Sequence, residues 1–148
     1  LRSRLGGNDN NHGTLSIQLE SFGFKHGVPY DADFVFDVRC LPNPYWDQSL
    51  RPLNGKDPAV IKFLEQHAIT ATMLSDIVTF LKHRIPEYVA QNRNFLTIAI
   101  GCTGGQHRSV YLVERIAEQL KTVNKNILIQ HTELPSAVTP SGAPAITA

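Results

Sequence analysis

The chain has 148 residues, of which 42% are hydrophobic, so it is long enough for one domain with a packed core and too short for two. Its 14 Lys and Arg against 13 Asp and Glu give a formal net charge of +1, which excludes a global field that draws the protein onto a nucleic acid or a membrane. The sequence shows no secretory signal and no run of about 20 apolar residues that could span a bilayer, and its two distant cysteines, Cys40 and Cys102, predict no disulfide framework and no zinc site. We therefore expect a cytoplasmic protein with no membrane association and no metal ion.

Both ends of the chain lack apolar periodicity. Residues 1–13 include the run Gly6-Gly7-Asn8-Asp9-Asn10-Asn11, which is typical of a linker. Residues 135–148 consist mostly of small residues, carry no charge and include three prolines, which predicts a disordered tail. The sequence thus predicts one folded domain over residues 14–134.

Predicted strands and helices alternate from the start of that domain. Apolar patterning predicts strands at Leu15–Phe22 and Phe34–Arg39, and a Pro- and Asn-rich stretch predicts an irregular loop at Leu41–Gly55. The pair Asp57-Pro58 is a capping residue followed by proline at the first helical position. A helix should therefore begin there and run to about His67.

The second half continues this alternation. Apolar residues at helical spacing from Leu74 to Val89 predict a longer helix, which Pro86 should kink or restart. A buried strand is predicted at Phe95–Ile100, an amphipathic helix at Val110–Leu120 and a last short strand at Ile127–Ile129. The pattern predicts a single α/β domain with a mixed, mostly parallel sheet flanked by helices.

The segment Gly101–Ser109 joins the buried strand to the next helix and carries residue types that suit an oxyanion. A strand, a glycine turn and a helix start together aim backbone N–H groups at an anion. Arg108 adds a charge with bidentate geometry, and hydroxyl and imidazole groups complete the set. The alternative is a tight strand-to-helix turn with a solvated arginine. We expect a strand, Gly-rich loop and helix anion site at Thr103, Gly104, Gly105, His107, Arg108 and Ser109.

Cys102 and Arg108 also have the Cys-x5-Arg spacing of the cysteine phosphatases, in which a thiolate attacks phosphorus. The preceding residue is Gly101 rather than the histidine of that signature, and only Asp37 and Asp47 are candidates for the general acid. Cys102 could instead simply close a buried strand. We rank phosphatase activity second and predict no catalytic residue.

Further polar residues follow the second predicted strand. Because ligands bind at the carboxyl ends of parallel strands, Asp37 and Arg39 could face the loop, or they could pair with each other or with Arg51. Scattered basic residues could contact phosphates or could be merely solvated. These are Lys25, Lys121, Lys125 and His131.

Several longer motifs occur in one order along residues 14–134. They are Ser21–Gly27, Asp31–Asp33, Phe36–Arg39, Leu41–Trp46, Leu50–Pro52 and Gly101–Tyr111. In these motifs the chain resembles the C-terminal domain of the RapZ family of bacterial RNase adapter proteins. This resemblance is far more specific than the phosphatase spacing.

The resemblance implies a regulator rather than an enzyme. Members of the family carry an N-terminal P-loop domain that binds ATP or GTP, whereas this sequence has no Gly-x4-Gly-Lys-Ser/Thr motif. We therefore expect no cofactor in this chain, and residues 1–13 would be the linker from that domain. The family's C-terminal domain is linked to sensing glucosamine-6-phosphate, binding small regulatory RNA and presenting RNA to RNase E, and we expect a homo-oligomer.

The resemblance also implies a sugar-phosphate pocket. It carries over onto Cys102, Thr103, Gly104, Gly105, His107 and Arg108, with Asp37, Arg39, Asn43 and Arg51 facing them. Tyr45 stands where some members have histidine. RNA-binding relatives end in a run of Lys and Arg, which Lys125 and His131 match and residues 135–148 do not. We therefore expect RNA to be bound more weakly than in those relatives, through Lys25, Lys121, Lys125 and His131.

Overall fold

The structure, a computed structural model, describes residues 15–135. The predicted linker and nearly all of the predicted tail lie outside these residues. All predicted strands and helices within the range are present, with ends that differ by a few residues. The strands are β1 (Ser16–Gly23), β2 (Phe34–Asp37), β3 (Phe95–Cys102) and β4 (Ile127–His131), and the helices are α1 (Pro58–Glu65), α2 (Ala68–Ala90) and α3 (Arg108–Leu120). Two short 3-10 turns cover Phe24–His26 and Pro44–Trp46.

The four strands form one sheet in the order β2-β3-β1-β4, and all neighbouring pairs are parallel. The predicted α/β domain with a sheet flanked by helices is confirmed, and the sheet is entirely parallel instead of mostly parallel. Each connection between described strands returns the chain to the edge at which the preceding strand began, so the next strand runs in the same direction. The register aligns Gly23 with Cys102, Asp37 with Gly101, and Ser21 with His131. All four strands therefore end at one edge of the sheet, here called the carboxyl edge, which is where ligands bind in parallel sheets.

The core lies between the sheet and its helices. Helix α3 packs on β1, β3 and β4, and α2 packs on α3. The strands supply alternate residues such as Leu19, Ile98 and Ile100, all fully buried, as expected when one face of a sheet meets helices. Phe34 of β2 meets Phe80 of α2 edge to face, with ring centroids 5.4 Å apart, which anchors the edge strand to the same core.

Two local expectations are corrected by the structure. Helix α2 does not restart at Pro86 but continues to Ala90. Pro86 is exposed and lies in the last turns, where the one carbonyl that loses its partner can be solvated. Asp57 does precede α1, but its carboxylate accepts from the backbone N–H of Asn54 at 2.7 Å instead of capping the helix.

No helix among residues 15–135 is long and apolar enough to cross a membrane. Within the same residues, no three His, Cys, Asp or Glu side chains are grouped in a way that could hold a metal ion.

Candidate anion-binding site

The loop between β3 and α3 reaches its conformation through glycine. Gly105 has a φ of 77°, in the left-handed region that favours glycine. A Cβ atom built there would lie 2.6 Å from the backbone nitrogen of Gly23, so the loop packs directly on the end of β1. A Cβ atom on Gly104, in contrast, would meet nothing within 4 Å. The loop is thus closed on its β1 side and open above Gly104.

Backbone donors collect at this loop. Within residues 15–135, the N–H groups of Gly104, Gln106, His107 and Arg108 donate to no protein acceptor, whereas Gly105 N–H donates to Cys102 Sγ at 3.3 Å. The first N–H groups of a helix have no intrahelical partner and carry the positive end of its dipole. The start of α3 and the loop therefore present unpartnered donors of the kind that bind phosphate or sulfate.

Arg108 brings a buried positive charge to the same place. Arg108 is only 4% exposed. Its Nη1 donates to the carbonyl oxygens of Arg39 at 2.8 Å and Leu41 at 3.0 Å. The other terminal nitrogen lies 3.4 Å from Thr103 Oγ1, and Nε has no partner among the described residues. Within residues 15–135, no carboxylate oxygen lies within 4 Å of the Arg108 guanidinium to form an ion pair. A buried cation held only by neutral groups is costly, so an anion at the loop would compensate it.

Three further loop residues mainly hold the site together. Cys102 is buried, and its Sγ lies 3.2 Å from Ser109 Oγ. His107 is buried as well, and its Nε2 lies 3.2 Å from the carbonyl oxygen of Leu50, so it ties the loop to the 41–55 segment. Burial is the main cause that lowers the pKa of His107 below its ordinary value of 6.5, which favours the neutral ring.

The predicted facing residues lie on the neighbouring end of β2 and in the segment after it. Arg39 forms a two-pronged pair with Asp37, with Nε donating at 2.9 Å and the second nitrogen at 2.7 Å. The Arg39 guanidinium also lies 4.0 Å from the ring centre of Phe24. Asp37 and Arg39 thus pair with each other, and the main chain of Arg39 contacts Arg108.

The next two candidates organise the 43–51 turn. Asn43 Oδ1 accepts from the backbone N–H of Tyr45 at 3.1 Å. Arg51 Nε donates to the carbonyl of Tyr45 at 3.0 Å, and its guanidinium lies 4.4 Å from the centre of the Tyr45 ring. Trp46 beside them is 77% exposed. This turn therefore presents aromatic and cationic groups near the loop.

The predicted RNA-binding residues separate into two groups. Lys25 follows β1 and His131 ends β4, so both lie at the carboxyl edge, whereas Lys121 and Lys125 lie between α3 and the start of β4, at the opposite edge. The side chain of His131 is 9% exposed, and its two nitrogens contact Ser21 Oγ at 2.8 Å and Glu114 Oε2 at 2.7 Å. The lysines are exposed.

The structure adds residues that sequence reasoning missed. Glu133 touches the loop from beyond β4, and Gly55 packs against the start of α3, where a Cβ atom would lie 2.3 Å from the carbonyl oxygen of His107. Gly55 N–H also donates to the Gln106 carbonyl at 2.8 Å. The strand order could have indicated Glu133, since residues just after a parallel strand share an edge with the loop.

Comparison with known proteins adds the family context. A family model described as the RapZ C-terminal domain matches residues 15–135. A nucleotide-binding protein of Methylococcus capsulatus is 56% identical over 123 residues, which are 83% of this chain and 42% of that protein. Nucleotide-binding proteins of Nitrosococcus oceani and Cupriavidus taiwanensis are 52% and 54% identical, over 81% and 83% of this chain and 43% and 42% of their own lengths. The chain thus spans less than half the length of these curated relatives.

Proposed function

This chain belongs to the family of RapZ C-terminal domains, and from that premise we propose that it is a regulatory sensor domain that binds glucosamine-6-phosphate at the loop Cys102–Ser109. The observation that carries the proposal is the buried Arg108 guanidinium, which contacts carbonyls and no carboxylate within the described range. It lies beside unpartnered backbone donors and a loop that is open above Gly104. A phosphate there would gain charge-assisted hydrogen bonds and would compensate the cation.

The proposal extends to RNA and to the intact protein. The edge that carries the loop also exposes Lys25, Tyr45 and Trp46, and RNA is commonly bound through phosphate contacts and through bases stacked on aromatic rings. We infer a cytoplasmic, oligomeric adapter in which this domain binds small regulatory RNA and presents it to RNase E. The relatives are named nucleotide-binding proteins, and the nucleotide would bind to the part of those proteins that lies outside the match. This domain would therefore need no cofactor.

Calorimetry with glucosamine-6-phosphate on the wild type, Arg108→Ala and Arg108→Lys tests the anion site. Losing the charged contact should weaken binding by about 1.5 to 3 kcal/mol, or one to two decades, and lysine should restore only part of it because it lacks the planar fork. Arg93→Ala is the matched control, since Arg93 pairs with Asp33 at the opposite edge.

Because Arg108 also holds the carbonyls of Arg39 and Leu41, each variant needs a melting curve. Equal affinity of a folded Arg108→Ala variant and the wild type would remove the central claim.

A second candidate, a cysteine-dependent phosphatase, is favoured by one feature. Cys102 Sγ accepts from Gly105 N–H at 3.3 Å and lies 3.2 Å from Ser109 Oγ, so a loop amide and a hydroxyl contact the sulfur that would attack phosphorus. The candidate acids do not suit the role, however. The hydrogen bond from Arg39 lowers the pKa of Asp37, and that from Ser49 lowers the pKa of Asp47, so both favour the charged form, which has no proton to give.

We therefore expect no turnover of an aryl phosphate by the wild type or by Cys102→Ser. Hydrolysis by the wild type that disappears in the Cys102→Ser variant would reverse the ranking of the two functions.

A further inference from the structure

Trp46 presents an open aromatic ring on a backbone of fixed shape. It is 77% exposed, so at least one face of its indole ring is open to solvent. The residue ends the second 3-10 turn, in which Asn43 Oδ1 accepts from the backbone N–H of Tyr45 at 3.1 Å. The backbone N–H of Asp47 donates to the Pro44 carbonyl at 3.0 Å. A ligand that stacks on this ring therefore has little backbone to order, which reduces the cost of binding.

The turn that carries Trp46 is tied to the anion loop. The backbone N–H of Leu50 donates to the carbonyl of Asp47, the residue after Trp46, at 2.9 Å. The carbonyl oxygen of Leu50 in turn lies 3.2 Å from Nε2 of the buried His107. The exposed ring and the start of α3 thus keep a defined relative position.

A cation lies beside the aromatic pair. The Arg51 guanidinium is 4.4 Å from the ring centre of Tyr45, and that ring centre is 5.9 Å from the ring centre of Trp46. Arg51 Nε donates to the Tyr45 carbonyl at 3.0 Å, whereas its two terminal nitrogens have no hydrogen-bond partner among residues 15–135. These nitrogens can donate to a phosphate oxygen. The turn therefore combines a stacking surface with a phosphate contact, as sites for single-stranded nucleic acids do.

We propose that Trp46 is the platform on which an unpaired base of the RNA stacks, while Arg51 binds a neighbouring phosphate. The inference rests on the proposed RNA binding and adds which part of an RNA reaches this surface. In a duplex each base is covered by its neighbours, and the major groove of A-form RNA is too deep and narrow for side chains. Only an unpaired base can lie flat on the indole ring. Because every base has a stacking face, the platform distinguishes single-stranded from paired RNA without reading the sequence.

The chain has one tryptophan, so its fluorescence reports directly on this ring. Titration with an oligouridylate at low salt should quench the fluorescence of the wild type, and a blunt RNA duplex of equal charge should quench it much less. Anisotropy of labelled RNA then gives the affinities of the variants. Trp46→Ala should weaken binding of the single strand by about five- to a hundredfold, the usual effect of removing one stacked ring, and should leave duplex binding unchanged.

Two further variants control this comparison. Trp46→Phe keeps an aromatic face and should retain most of the affinity for the single strand. Tyr30→Ala removes a ring that is 99% exposed but precedes β2 at the opposite edge, so it should bind the single strand as the wild type does. If Trp46→Ala does not fold, quenching in the wild type and the affinity of Trp46→Phe carry the test.

The outcomes separate this inference from the proposed function. Single-strand binding that Trp46→Ala leaves unchanged, or equal quenching by single strand and duplex, would overturn the role of Trp46 and leave RNA binding standing. Binding of neither RNA at low salt would overturn both RNA binding and the platform. Uridine monophosphate supplies a base and a phosphate without an RNA chain and should bind far more weakly than the oligouridylate. Quenching by both at the same concentration would assign the ring to a free nucleotide and contradict the proposal.

Discussion

Single residues at the loop serve both the fold and the site. His107 precedes α3, yet its ring is buried and lies against the carbonyl of Leu50 in a distant segment. Its burial lowers its pKa, so the folded protein takes up a proton there less readily than the unfolded chain does. The burial of the His107 ring therefore makes the stability of the protein depend on pH.

The sign of this dependence is fixed by linkage. The contribution of His107 to stability is complete above its ordinary pKa of 6.5 and is lost as the pH falls from there toward the lower folded pKa, because the unfolded state then binds more protons. We expect His107→Gln to reduce the free energy of unfolding by about 1 kcal/mol near neutral pH through the weakened buried contact. The same variant should lose less stability than the wild type when the pH is lowered to about 5.5.

Urea unfolding of the wild type and His107→Gln at several pH values measures both effects. His83→Gln is the control, because His83 is exposed on α2. An identical pH dependence in the wild type and His107→Gln would show that another group, such as a carboxyl, governs acid destabilisation.

At the scale of elements, much of the fold could be predicted from local patterns. The strands and the helices α2 and α3 follow from their own apolar patterns, α1 follows from the Asp57-Pro58 pair, and the start of α3 at Arg108 follows from the glycine turn before it. The anion loop could be predicted for the same reason, since its residues are consecutive. That α2 continues past Pro86 could not be predicted, because it depends on the exposure of Pro86 near the end of the helix.

The parts of the site that escaped prediction depend on how the strands are arranged. The contact of Arg108 with the carbonyls of Arg39 and Leu41 joins segments about 67 to 69 positions apart, and it requires β2 to lie beside β3. Glu133 reaches Gly105 only because β4 lies next to β1. The sequence identifies the residue types, whereas the strand order determines which of them come into contact.

At the scale of the whole molecule, charge is distributed unfavourably for RNA. Lys25 lies at the carboxyl edge, while Lys121 and Lys125 lie beyond the other end of β4. Five strand residues at about 3.3 Å each put roughly 15 Å between these two edges. His131 is engaged with Ser21 and Glu114, so it offers little to a phosphate. Of the four predicted RNA-binding residues, Lys25 is therefore the one that offers an exposed cation near the loop.

We predict weak binding of a hairpin RNA that is detectable at low salt and lost near physiological ionic strength. Each phosphate that is neutralised adds about 0.7 to 0.9 to the slope of log affinity against log salt, so a small basic set gives a shallow slope. Lys25→Ala should weaken binding more than Lys121→Ala does, because only Lys25 lies at the edge that carries the anion loop.

A Lys- and Arg-rich extension grafted after Leu134 should restore affinity and steepen the slope, because Leu134 lies just past β4 and thus starts from the carboxyl edge. The cations of the extension would add to Lys25 and to the loop, so several phosphates of one RNA could be neutralised together.

An extension of equal length rich in Ser and Gly controls for chain length, and titration of the hairpin at several salt concentrations gives affinity and slope for each protein. If the original chain already binds tightly at physiological salt, the folded surface around Lys25 carries the recognition and the terminus is not the main determinant. If the basic graft binds no better than the Ser and Gly control, terminal electrostatics is the wrong explanation, and oligomers that place several carboxyl edges side by side become the arrangement to test.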